Sequence, residues 1–263
     1  MKGVIRHIPN TLTCISLSFG FYASVLGLCG NCYGALIAIL LAAMFDFSDG
    51  LAARLLKANS EMGKELDSLS DIIGFGVAPG MMMFGFLDNL LHSLSWDDSP
   101  MCKIFLLPAF AIPVFSALRL AKFNIDVRQK TSFIGLPVPA HAILWSSVIA
   151  AFSPVTASPI AVSCNLYDCG YTRPILTEFF TNAAPDILLI CISVSAIATS
   201  YLLISNIPMF SLKISSFAWR ENKLQYTLIL SAIILTVLFG IPGIAATILL
   251  YILLSVIAYK KNR

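Results

Sequence analysis

Charge is scarce in this sequence. Only 12% of its 263 residues are Asp, Glu, Lys or Arg, while 58% are hydrophobic. An ordinary soluble domain carries about twice that charged share. Apart from the lone Cys29-x-x-Cys32, the seven cysteines show no Cys/His metal spacing, which argues against a zinc site. There is no internal repeat, low-complexity segment or stretch with the composition of a soluble domain, so solenoids and linker-joined modules are excluded. The basic N-terminus, MKGVIRHIPN, precedes an apolar stretch with no Ala-x-Ala-like cleavage site, and it reads as a retained helix.

What is present is a series of apolar runs, each about long enough to cross a hydrocarbon core as a helix. Eight are expected, at roughly 10–29, 33–57, 67–89, 103–122, 138–153, 186–209, 224–240 and 243–259. The fold class is therefore all-α, a polytopic transmembrane bundle forming one membrane domain over residues 1–263. Tight turns at Gly30-Asn31-Cys32 and Gly240-Ile241-Pro242 join antiparallel neighbours. With both termini cytoplasmic, the inner segments hold 15 Lys and Arg, and the outer ones hold only Lys103 and Arg173. That bias fixes the expected orientation. It puts the polar segment 154–185 outside, where Cys164 and Cys169 would be free to pair in an oxidising compartment. Cys14, Cys29, Cys32 and Cys191 read as small hydrophobes in or beside helices.

Against this apolar background, DFSDGLAARLLKANSEMGKELDSLSD (residues 46–71) stands out. Positions 46, 49, 50, 53 and 54 share one face of a helix, and 63, 67 and 71 share one face of the next. An antiparallel pair joined at the inner surface would bring Asp46, Asp49, Asp67 and Asp71 together near the cytoplasmic end. Four like charges in a low-dielectric site require protonation, cationic partners or a metal. Oxygen-only ligands favour a hard divalent cation, Mg²⁺ or Mn²⁺, and two such ions would form a clamp for phosphoryl chemistry. Gly50 and Gly63 let a bulky ligand approach the backbone, and Arg54 can fork onto a phosphate or an aspartate. Solvated helix-end charges explain Glu61, Lys64 and Glu65. They explain Asp46 poorly, since it lies about 16 Å up the helix from Lys57. A proton or cation pathway would spread its acids over several helices at mid-membrane, which this sequence does not do.

The pattern Asp46-x-x-Asp49-Gly50-x-x-Ala53-Arg54, eight residues, Gly63-x-x-x-Asp67-x-x-x-Asp71 resembles the signature of the CDP-alcohol phosphatidyltransferases. The resemblance implies a helical-bundle enzyme, usually homodimeric, that displaces CMP from a CDP-linked lipid using an alcohol. It implies that the four aspartates bind metal, with Asp71 also the general base, and that Gly50, Ala53, Arg54 and Gly63 line the CDP site. Further segments resemble the serine-using branch of that family: Phe75-Gly-Val-Ala-Pro79, Arg119-Leu-Ala-Lys122-Phe-Asn124, Phe133-Ile-Gly-Leu-Pro-Val-Pro-Ala140 and Ser205-Asn206. The implied substrates are CDP-diacylglycerol and L-serine in a lipid bilayer, and nucleic acid is not an expected partner. The same chemistry with glycerol 3-phosphate, inositol phosphate or choline as acceptor stays open.

Several positions carry two readings. Arg119 would contact a substrate carboxylate or phosphate. Lys122 suits either the acceptor site or membrane anchoring. Asn10 and Thr13 would touch the nucleotide or open the first helix. Gly135-Leu-Pro-Val-Pro139 would shape the acceptor pocket or start a helix. The role of His141 is open. The catalytic core is expected over about 9–213, with the two helices of 224–259 as packing.

Overall fold

The computed structural model describes residues 7–58, 60–96, 101–125, 133–153, 184–210 and 222–261. Helices dominate: α1 (Ile8–Leu28), α2 (Cys32–Leu55), α3 (Glu61–Ile72), α4 (Ala78–Ser93), α5 (Leu107–Ile125), α6 (Val138–Phe152), α7 (Pro185–Ile204), α8 (Lys223–Phe239) and α9 (Ile241–Lys261). A π-turn, Ile73–Val77, fuses α3 to α4, and a 3₁₀ turn, Cys102–Leu106, leads into α5. The one ladder among the described residues pairs β1 (Phe133–Ile134) antiparallel with β2 (Pro208–Met209).

Six of the segments are long and apolar enough to cross a membrane: Ile8–Leu28, Cys32–Leu55, Glu61–Ser93, Cys102–Ile125, Pro185–Ile204 and Ile241–Tyr259. The chain is thus an all-α integral membrane protein. The two other expected spans exist as shorter apolar helices, Val138–Phe152 and Lys223–Phe239, of 15 and 17 residues. Helix α6 starts at Val138, as expected, because Pro137 is extended, and it stops at Ser153, which is extended as well. The expected span 67–89 begins earlier, at Glu61, because Ser60 accepts a hydrogen bond from the Gly63 N–H at 3.0 Å and caps a polar first turn. The two ends of the chain and the segment carrying Cys164 and Cys169 lie outside the described residues.

Local chemistry explains most of the joints. Pro9 sits in the first turn of α1, where its missing N–H is no loss. The α1–α2 turn places Gly30 at φ +82°, and the Asn31 side chain then accepts from the Gly34 N–H to cap α2. Cys29 and Cys32 flank this turn in a Cys-x-x-Cys spacing, and both are free thiols. At Gly135 (φ +80°) the backbone N–H donates to Ile207 O, and Leu136 N–H donates to Leu202 O. The Gly135–Pro139 turn is thereby pinned to the end of α7 as well as opening α6.

The centre of the bundle is built by α1, α2, α4 and the π-turn. Phe75, Ile39, Met82 and Leu87 are fully buried there, and Ile112 of α5 joins the same core. Gly20 and Gly74 let α1 cross the π-turn closely: a Cβ on Gly20 would lie 2.6 Å from the Gly74 Cα. Ser16 donates to Ala42 O at 2.9 Å and ties α1 to α2. The outward faces are large and apolar, with Phe21, Phe47, Val237 and Leu238 all more than 60% exposed, as a lipid-facing surface requires.

Candidate active site

The turn between α2 and α3 folds the two acidic faces onto each other. One carboxylate oxygen from each of Asp46, Asp49 and Asp67 lies within 4.8 Å of the others. Asp49 is buried and the other two are half-buried. Asp71, one turn beyond Asp67, falls outside that triad and sits against Asp46, within hydrogen-bonding reach of its carboxyl. The Thr13 side chain of α1 comes within reach of Asp49, and its hydroxyl donates to Pro9 O at 3.0 Å.

A cavity of about 580 Å³ opens beside the triad, lined in part by Asn10, Thr13, Asp49, Gly50, Arg54 and Asp67. Ala53 and Gly63 also line it. The two glycines differ in their surroundings. A Cβ on Gly50 would meet nothing within 4 Å, so position 50 borders free space. A Cβ on Gly63 would meet Asn10 Oδ1 and Ser60 Oγ, each at 3.0 Å, so Gly63 lets the α1 N-terminus close over α3. Glu61 and Lys64 line the cavity too. Their sequence signature, charged residues in a first helical turn, is that of an ordinary solvated helix end, and only the closure of α1 over α3 puts them at the mouth.

The donor set fits a divalent cation. It consists of carboxylates without His or Cys, the preference of hard ions. Asp49 Oδ2 and Asp71 Oδ1 are buried and without a hydrogen-bond partner, although buried carboxylate oxygens ordinarily have one. A bound cation would give both a partner.

The second polar group lies on the other side of Asp71. Arg119 on α5 is 7% exposed, its guanidinium stacks 5.0 Å over the centroid of the Phe123 ring, and it interacts electrostatically with Asp71. Lys122 points elsewhere. Its ammonium donates to Ile204 O and to Asn206 Oδ1, both at 3.2 Å, tying α5 to the end of α7. Asn124 donates to Ser68 Oγ at 3.0 Å and links α5 to α3. His141 is fully buried, 3.3 Å from Thr199 Oγ1, which also accepts from the Trp145 indole at 2.9 Å. This is a polar pin between α6 and α7. Helix α9 contributes a residue that no motif marked. Tyr251 is 4% exposed and donates to Phe210 O at 3.1 Å.

Comparison with known proteins agrees with this arrangement. The family model described as CDP-alcohol phosphatidyltransferase matches residues 6–167, which include the whole aspartate motif. The chain belongs to the CDP-alcohol phosphatidyltransferase family. It is 33% identical over 151 residues to a CDP-diacylglycerol–serine O-phosphatidyltransferase of Bacillus subtilis, covering 57% of this chain and 80% of that protein. It is 34% identical over 142 residues to a protein of the same name from Helicobacter pylori, covering 52% and 54% respectively. An archaetidylserine synthase of Methanothermobacter thermautotrophicus is 30% identical over 167 residues, covering 59% and 67%. The chain thus spans most of the first relative's length and about half of the second's.

Proposed function

We propose that the protein transfers the phosphatidyl group of CDP-diacylglycerol to the hydroxyl of L-serine, giving phosphatidylserine and CMP. The observation that carries this reading is the triad of Asp46, Asp49 and Asp67, of which Asp49 and Asp67 line a cavity bounded by Gly50, Ala53, Arg54 and Gly63. The names of the curated relatives support serine as the acceptor.

In this reading the CDP moiety occupies the cavity. Its diphosphate lies toward the triad and Arg54, and Asn10 and Thr13 border the nucleotide. A bound divalent cation, Mg²⁺ or Mn²⁺ and in this account two ions, would be held by the four aspartates and would neutralise the diphosphate and the departing CMP. The serine hydroxyl gives its proton to Asp71, whose Oδ1 has no other partner. The serine oxygen bonds to the lipid-bearing phosphorus, and the bond from that phosphorus to the CMP oxygen breaks. The protein's work is positioning and charge placement. Arg119 is assigned to the serine carboxylate.

Lys122 is assigned a structural role, because its ammonium is already engaged by Ile204 O and Asn206. Among the described residues that leaves Arg119 as the buried cation on this side, and a single guanidinium suits a carboxylate. The excess of inner Lys and Arg supports a cytoplasmic-face site in the bacterial inner membrane. The family resemblance supports a homodimer, with a catalytic core at about 9–213. The test is purified protein in detergent with CDP-diacylglycerol, Mn²⁺ or Mg²⁺ and each candidate acceptor in turn. CMP release with serine is expected. Release with glycerol 3-phosphate and not with serine refutes the acceptor while leaving the chemistry intact.

A further inference from the structure

Arg119 and Phe123, near the inner end of α5, are one helical turn apart and share a face. Side chains on a helix lean toward its N-terminus, so the Phe123 ring leans back toward Arg119. The central carbon of the Arg119 guanidinium lies 5.0 Å over the centroid of that ring. Arg119 is buried and Phe123 is half-buried. The pair is thus a cation–π contact largely withdrawn from solvent, the setting in which such a contact is strongest.

The backbone around the pair is tied down on both flanks. Lys122 donates to Ile204 O and to Asn206 Oδ1 at the end of α7. Asn124 donates to Ser68 Oγ on α3, the helix that carries Asp67 and Asp71. These two residues flank Phe123 in the chain, so the turn that carries the ring cannot shift without breaking one of their bonds. What is left free is the Arg119 side chain, with several rotatable bonds between the backbone and its charged end. The ring restrains that end. It does so without engaging an N–H, so the two-pronged donor edge of the guanidinium stays available to a ligand.

We propose that Phe123 is a positioning residue, whose ring holds the Arg119 guanidinium in place for the anionic group of the acceptor. The proposal rests on the reading that Arg119 faces the acceptor. A donor fork already held in its bound orientation binds a planar carboxylate better than one that must first be immobilised.

The experiment uses full-length protein in detergent with Mn²⁺. Initial rates are measured against serine at saturating CDP-diacylglycerol, and against CDP-diacylglycerol at saturating serine. Phe123→Leu and Phe123→Met each keep an apolar side chain and remove the π face. In both, the apparent KM for serine should rise about three- to tenfold, the range expected for a partly desolvated cation–π contact. The kcat and the KM for CDP-diacylglycerol should not change. Phe123→Tyr keeps the face and should keep the wild-type constants. In an Arg119→Ala background Phe123→Leu should have no further effect on serine. Phe110→Leu makes the same change in another α5 ring, one that packs edge-on against Phe84, and should leave both KM values alone. An unchanged serine KM in Phe123→Leu and Phe123→Met overturns the proposal. So does an equal rise for both substrates, a loss confined to kcat, or a Phe123→Tyr variant as weak as Phe123→Leu. A full additional rise in the Arg119→Ala background, or the same rise in Phe110→Leu, overturns it too. If Arg119→Ala itself keeps the wild-type serine KM, the acceptor reading of Arg119 fails and the proposal fails with it. If wild-type protein uses glycerol 3-phosphate and not serine, the identity of the acceptor fails separately. The Phe123 proposal is then decided by the KM for glycerol 3-phosphate.

Discussion

Removing Arg119 is the most informative single perturbation of the acceptor side. The residue is buried, its guanidinium lies over Phe123, and Asp71 is its acidic neighbour. A charge-assisted, two-pronged contact to a serine carboxylate lost from such a site costs on the order of 1.5–3 kcal/mol. That corresponds to a roughly ten- to hundredfold loss of kcat/KM for serine. A carboxylate contact exists in ground and transition states alike, so most of the loss in Arg119→Ala should appear in KM. Some fall in kcat is expected as well, because Asp71 loses the cation beside it. Arg119→Lys keeps the charge but not the fork, and it should recover kcat better than KM. The assay is CMP release with each substrate varied in turn. Equal weakening toward serine and CDP-diacylglycerol would move Arg119 onto the nucleotide or lipid phosphate. An unaltered serine KM would refute the assignment outright.

Chelation should abolish CMP release and re-addition of Mn²⁺ or Mg²⁺ should restore it, because the four carboxylates lack sufficient protein counter-charge; full turnover after thorough chelation would remove the metal assignment. Asp67→Asn should eliminate activity while the protein remains folded by circular dichroism, and a near-normal rate would mean the site is misplaced. Gly20→Ala forces a methyl to 2.6 Å from the Gly74 Cα and should lower thermal stability by about 1–3 kcal/mol; an unchanged melting temperature would show that α1 and the π-turn separate freely. A cysteine introduced at Ser158 should react with an impermeant thiol reagent only from outside the cell, and labelling only from the cytoplasmic side would overturn the orientation.

The aspartate face was legible because helical spacing is arithmetic: 46 and 49 on one helix and 67 and 71 on the next must share faces whatever the tertiary contacts. The apolar runs were legible for the same kind of reason, since length and composition suffice. The start of α3 at Glu61 was not. Its first turn is polar, and it is helical because Ser60 caps it and α1 closes over it. The π-turn at Ile73–Val77 has no signature inside an apolar run; it became visible only with Gly20 packed on Gly74. The β1–β2 pairing spans two residues per strand, too few for any periodicity. Lys122 carried two readings because its partners, Ile204 O and Asn206, are more than 80 residues away. Tyr251 shows the limit most clearly. A tyrosine in an apolar helix reads as interfacial or packing, and its hydrogen bond to the Phe210 carbonyl exists only through the fold.

The central claim is the transfer of phosphatidyl from CDP-diacylglycerol to serine, and its most direct measurement is product stoichiometry. Purified protein is incubated with CDP-diacylglycerol, Mn²⁺ and isotopically labelled serine, and CMP and lipid are quantified together by mass spectrometry. The account predicts labelled phosphatidylserine and CMP in equal amounts, both lost in Asp67→Asn. CMP accompanied by phosphatidic acid, or labelled lipid formed equally well by Asp67→Asn, would contradict it.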